Sequence, residues 1–289
     1  MIKTENLFKK FGKKVVFENA GIQVESGSIC GLVGVNGAGK STLLRILSGV
    51  ISPDGGEVLI DGQKVFENEK IKKKIFFLPD DPYYDTGFTA QSVKELYSAF
   101  YDFDSAKFNY YINLFKLESK KPIRNFSKGM KRQLFIAAAL ACNPEYLFLD
   151  EAFDGLDPFA RLEFKRGLIE LQESGCTVII ASHSLRELED ICDSFILIDG
   201  STVKNGGKID AAVEKLVKLQ LAFNGDIKRE DLPFECLRYE KTGRIITVVV
   251  RGDCEEIKDK LSPLKPLVVE VLPMDFEDLF IEEIRGQRK

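Results

Sequence analysis

No apolar run in this 289-residue sequence is long enough to cross a bilayer. The longest, Leu134 to Cys142, spans nine residues and is rich in alanine, which predicts a buried helix. The opening residues, Met1-Ile2-Lys3-Thr4-Glu5-Asn6, lack the apolar core of a signal peptide. Six cysteines are scattered without a C-x-x-C pair, so neither a zinc site nor a disulfide framework is expected. They read as reduced core thiols of a cytosolic protein. A net charge of −4 offers no electrostatic footprint for nucleic acid, which is excluded as a main partner. Repeats and low-complexity tracts are absent. What remains, 44% hydrophobic and 30% charged residues, is the composition of a globular chain with room for one large domain and a smaller one.

Against that background, Gly34-Val35-Asn36-Gly37-Ala38-Gly39-Lys40-Ser41-Thr42 fits the G-x-x-x-x-G-K-[ST] phosphate loop at every position. Ser28 to Val33 forms an apolar strand leading in, and Thr42 to Ser48 carries helix-spaced leucines leading out. The glycines let the backbone curl so that successive N–H groups point inward at phosphate oxygens, and the following helix adds its positive dipole end. Lys40 is expected to reach the β- and γ-phosphates, and the Ser41 hydroxyl to hold Mg²⁺. A nucleoside triphosphate is the implied ligand.

Strand and helix signals alternate through residue 200, predicting a mostly parallel sheet covered by helices. Strands are expected at Ile2–Phe8, Gly21–Val24, Ile29–Val33, Gly56–Ile60, Ile75–Leu78, Tyr146–Leu149, Val178–Ala181 and Phe195–Ile198. The early ones alternate polar and apolar, as in an antiparallel sheet. The later ones are continuously apolar, as buried parallel strands are. Residues 88–142 read as a helical insert. Asn205-Gly206-Gly207 reads as a turn, after which strands around 219–223, 237–239, 245–251 and 267–272 and helices near 210, 255–261 and 276–284 form a second, small α/β domain. The expected division is therefore 1–205 and 206–289.

Three further segments carry chemistry. Tyr146 to Leu149 is an apolar strand ending abruptly in Asp150 and Glu151. Asp150 is placed to orient Mg²⁺, and Glu151 to polarise a water attacking the γ-phosphate. His183, the only histidine, ends another apolar strand and is expected at the same sheet edge, on the γ-phosphate or the attacking water. In Asn125 to Gln133, Ser127 is a natural N-cap and Gly129 admits an anion close to the backbone.

Together these segments resemble the nucleotide-binding subunit of ATP-binding-cassette (ABC) transporters over residues 1–205. Ser127 and Gly129 match that family's signature motif, while Phe126, Lys128 and Met130 depart from it. The resemblance implies that Phe11 stacks on adenine and that Asp154-Gly155-Leu156-Asp157 forms the D-loop at a dimer interface. Where the family places a glutamine after the strand at 75–78, this chain has Asp80, which can reach Mg²⁺ or its water but adds negative charge beside the triphosphate. The Leu-Pro-Asp-Asp-Pro and Phe-Ser-Lys-Gly-Met variants look like bacterial exporter-type cassettes of the bacitracin and acetoin-utilisation kind. The family further implies ATP and Mg²⁺ as ligands and a head-to-tail pair of cassettes in which Ser127 and Gly129 complete the partner's site. It also implies a separate transmembrane permease that holds the chain on the inner face of the membrane, with Pro82 to Phe88 as the contact surface. A soluble ABC ATPase of translation or DNA repair is the alternative, although two cassettes in one chain or long heptad insertions are not present. A phosphate-loop GTPase or kinase fits less well, lacking Asn-Lys-x-Asp and leaving the 125–133 segment unexplained.

Overall fold

The computed structural model describes residues 1–287, which fold into two compact units, Met1–Gly206 and the residues from Gly207 onward. In the first unit an antiparallel sheet gathers β1 (Ile2–Phe11), β2 (Lys14–Ala20), β3 (Gln23–Val24), β5 (Gly55–Ile60) and β6 (Gln63–Lys64) in the order β2-β1-β5-β6, with β3 also on β1. A second sheet orders β11-β10-β4-β9-β8-β7, from β4 (Ile29–Gly34), β7 (Ile75–Leu78), β8 (Tyr146–Asp150), β9 (Thr177–Ala181), β10 (Ser194–Asp199) and β11 (Thr202–Lys208). The pairs from β10 through β4, β9 and β8 to β7 are all parallel. Every residue of β8 and β9 is buried, which is why Tyr146–Leu149 and Val178–Ala181 read as unbroken apolar runs.

Around these sheets lie α1 (Lys40–Leu47), α2 (Glu69–Lys72), α3 (Ala90–Ser98), α4 (Ser105–Leu114), α5 (Lys128–Ala141), α6 (Pro158–Glu173) and α7 (Leu185–Glu189). The helical insert is α3 to α5, and its starts are chemically marked. Thr89 and Ser92 form a capping box on α3, Asp104 caps α4, and Ser127 caps α5. The second unit pairs β12 (Leu216–Ala222), β13 (Cys236–Thr242), β14 (Ile245–Arg251) and β15 (Val268–Leu272) antiparallel in the order β13-β14-β12-β15. It adds α8 (Ile209–Val213), α9 (Cys254–Leu261) and α10 (Phe276–Gln287), and Leu219, Leu221, Val248 and Leu261 centre its core.

Two expectations are corrected. The strand expected at Gly21–Val24 is only the two-residue β3, and the sequence reading missed β2 just before it. β2 is an edge strand with Val16 and Phe17 buried side by side and its other residues out of strict alternation, so it carries no period-two signal. Asn205-Gly206-Gly207 is not a turn but part of β11. The chain reverses earlier, at Gly200, whose φ is +59°. Gly206 is instead a close approach, because a Cβ there would run into the ring of Phe195.

Sheet order turns around β4, which has β10 on one side and β9 on the other. In an open α/β sheet, ligands settle outside the carboxyl ends of the strands at such a reversal. The carboxyl ends of β4, β8 and β9 deliver the phosphate loop, Asp150-Glu151 and Ser182-His183 to that edge.

Candidate nucleotide site

β4 ends at Gly34 with so little room that a Cβ would lie 2.7 Å from the Ile198 carbonyl oxygen. The loop then tightens, with the Ala38 N–H donating to the Val35 carbonyl at 3.1 Å. Gly39 starts α1 at φ +114°, where a Cβ would also lie 2.8 Å from Val16 Cγ1. Only glycine meets both demands. Val35, Asn36 and Gly37 are exposed at the loop crest, while Ala38 and Lys40 are buried and Ser41 and Thr42 half-buried. Lys40 Nζ donates to the Gly34 carbonyl at 2.8 Å, crossing the loop it serves. The β1–β2 hairpin that carries Phe11 rests on the loop through Val16 and Phe17, beside Gly39. Phe11 itself is 50% exposed, a free aromatic face with Lys9 Nζ 5.2 Å from its ring centre.

Asp150 is 2% exposed, and its Oδ1 has no hydrogen-bond partner among the described residues. Burial pushes its carboxyl above the ordinary range. A hydrogen bond from Ser41 works against that, and the charges of Glu151 and Asp80 add to it. A buried, unsatisfied carboxylate oxygen next to a hydroxyl is a donor set that suits a hard divalent cation. The residues therefore fit Mg²⁺. A raised value means that the folded state holds the proton more tightly than the unfolded chain. The resulting cost grows as pH rises from the ordinary carboxylate range through the raised one. Asp150→Asn is accordingly expected to stabilise the metal-free protein at neutral pH, to lose that advantage in acid, and to lose magnesium-dependent ATPase activity. Denaturant titrations at the two pH values check it; a less stable variant at neutral pH contradicts the account.

Glu151 occupies the left-handed region at φ +48°, unusual for a side-chain-bearing residue and frequent at functional sites. Its N–H donates to the Ala181 carbonyl at 2.9 Å, locking the end of β8 to that of β9. Its Oε2 accepts from the His183 backbone N–H at 3.1 Å and lies 2.9 Å from His183 Nδ1, while its Oε1 is 4.0 Å from Lys40 Nζ. His183 was expected on the phosphate or the water. With Nδ1 committed to Glu151, only Nε2 is left for that contact. Asp154 Oδ1 lies 3.7 Å from the same Nδ1.

Phosphate loop, Asp150, Glu151 and His183 thus converge, and the charge of Asp80 is felt at Asp150. Ser127 and Gly129 go elsewhere. The Ser127 Oγ accepts from the Met130 N–H at 3.2 Å, and a Cβ on Gly129 would sit 2.6 Å from the Gly155 carbonyl oxygen. Gly129 was expected to admit an anion; within its own chain it admits the Asp154–Asp157 loop. Among the described residues no hydrogen bond or ion pair joins Ser127 or Gly129 to the phosphate loop. Of the Pro82–Phe88 stretch, Tyr83 is 86% exposed, whereas Tyr84 packs near Phe135 beneath Lys131. Sequence reading missed Arg132, whose side chain is 2% exposed and whose Nη2 lies 2.7 Å from Asp80 Oδ1. The available signal was an arginine opening the stretch of α5 that is buried at every residue from Arg132 to Ala141.

A phosphate loop at a sheet reversal, with a buried aspartate and a neighbouring glutamate at the adjoining strand end, defines a phosphate-loop nucleoside triphosphatase. The ABC transporter family matches residues 17–154. The ABC transporter ATP-binding protein YtrB of Bacillus subtilis is 30% identical over the full length of both chains. The linearmycin resistance ATP-binding protein LnrL of the same organism is 34% identical, over 73% of this chain and 70% of its own. The solved structure of an ATP-binding subunit of an ABC transporter superposes with a TM-score of 0.68 at 26% identity, over 73% of this chain and 91% of that one. The chain belongs to the ATP-binding proteins of ABC transporters and is an ABC-type ATPase that energises transport. The translation or repair alternative finds no support among these relatives. No helix among the described residues is long and apolar enough to cross a membrane.

Proposed function

We propose that this chain works as one of two cassettes closing head to tail over ATP, bound to a separate membrane permease and driving export. One observation carries the reading: the chain has a single phosphate loop and a single Ser127–Gly129 helix start, and the second is turned to the Asp154–Asp157 loop rather than to the first. A triphosphate held at Gly34–Thr42 meets the N-terminus of α5 only when a second copy or a similar cassette supplies it. The α5 terminus offers unpaired N–H groups and the positive dipole end to the γ-phosphate.

Within one site, Phe11 stacks on the base, and the N–H groups of 34–42 with Lys40 hold the phosphates. Ser41 and Asp150 would hold Mg²⁺, which would supply charge neutralisation on the phosphate oxygens. The charge of Asp80 is felt at Asp150, but Arg132 holds one of its oxygens, so the metal is assigned to Ser41 and Asp150. Glu151 orients the attacking water and takes its proton, and His183 fixes the Glu151 carboxylate and offers Nε2 to the γ-phosphate. LnrL, by its name a linearmycin resistance protein, supports an exporting role, and the exposed Tyr83 supports the Pro82–Phe88 stretch as the permease contact. Such a partner would place the chain at the inner membrane face. In membranes of cells expressing the full chain, it is expected to co-purify with a multi-span protein and to run as a dimer with magnesium nucleotide. A chain that stays monomeric and leaves no membrane protein on the column overturns this reading.

A further inference from the structure

Arg132 is the least expected charge in the first unit. It lies in the buried stretch of α5, and a buried guanidinium is costly unless its donors are satisfied. All its recorded acceptors come from two consecutive residues at the end of β7. Nη1 donates to the Pro79 carbonyl at 3.1 Å, and Nη2 donates to the Asp80 carbonyl at 2.6 Å and to Asp80 Oδ1 at 2.7 Å. A cavity of about 310 Å³ lies between loop and helix, with the Arg132–Asp80 bridge in its wall, and the other contact across it is aromatic, Tyr84 lying beneath Lys131 and near Phe135. Asp80, in turn, is close enough to Asp150 for its charge to be felt there. The bonds to backbone carbonyls fix the loop's path, and the bond to the carboxylate fixes its charge.

We infer that Arg132 is a positioning residue of the nucleotide site: it neutralises Asp80 and clamps residues 79–80 to α5, so that Asp80 adds no unpaired negative charge beside the triphosphate. The inference rests on the site proposed above and adds a charge-compensating pair to it. Without Arg132, Asp80 is an uncompensated carboxylate facing a polyanion. Without Asp80, Arg132 is a buried cation that has lost its counter-charge. Removing both charges restores neutrality.

The test is a double-mutant cycle on the full-length chain, with ATPase kcat and KM for magnesium-ATP measured separately. Arg132→Gln is expected to raise KM about ten-fold, the equivalent of about 1.4 kcal/mol of repulsion from one unpaired carboxylate. Asp80→Asn alone is expected to lower thermal stability. The pair Asp80→Asn with Arg132→Gln is expected to bring KM back to within about three-fold of the parent, because neither charge is left over. Arg132→Lys keeps the charge while losing the fork, so it should hold KM near the parent value; it keeps the question answerable if Arg132→Gln folds poorly. A wild-type KM in Arg132→Gln, or a double variant no better than Arg132→Gln, overturns the inference. A ten-fold KM increase in Arg132→Lys does so as well. Failure of the parent chain to bind magnesium-ATP would instead defeat the site itself, and the two failures are told apart by that first measurement.

Discussion

Glu151→Gln should leave magnesium-ATP binding intact while turnover falls by about 10²–10⁴-fold, the usual worth of a positioned general base. The amide keeps the shape of the side chain, and its oxygen can still accept from the His183 N–H that holds the carboxylate at 3.1 Å. What it cannot do is take a proton. Because ATP then stays uncleaved, the closed pair should persist and elute as a dimer with magnesium-ATP, where the parent chain cycles between states. A variant hydrolysing ATP at the normal rate would take the base assignment away from Glu151.

Lys40→Ala should weaken nucleotide binding by about 100-fold or more, since charge-assisted bonds to phosphate are among the strongest a side chain makes. The buried lysine also sits 4.0 Å from Glu151, so its loss removes positive charge from the carboxylate as well as from the phosphates. Calorimetric titration of the full chain measures it directly, and an unchanged affinity would count against the phosphate loop. The two variants separate binding from chemistry: one fails to load the site, the other loads it and stalls.

Much of the framework was legible beforehand. Ile75–Leu78 and Ile245–Arg251 were read with the bounds they have. One is apolar throughout, the other a β-branched run opened by a turn at Gly243 with φ +63°. β2 was not legible, because an edge strand has one neighbour and little alternation to show. Gly206 was misread because a glycine marks either a turn or a close approach, and only the position of Phe195 decides between them.

The sequence by itself determined the ligand class. A phosphate loop binds through the backbone N–H groups of consecutive residues, with one lysine and one hydroxyl next door, so its chemistry is local and can be read in a line. Only the tertiary structure decided which charges pair. Arg132 and Asp80 stand 52 positions apart, and His183 and Glu151 stand 32 apart. Parallel strands and a buried helix bring them within hydrogen-bond range, and for the more buried member of each pair, Arg132 and Glu151, the partner rather than the residue type sets whether the charge serves the site or burdens it.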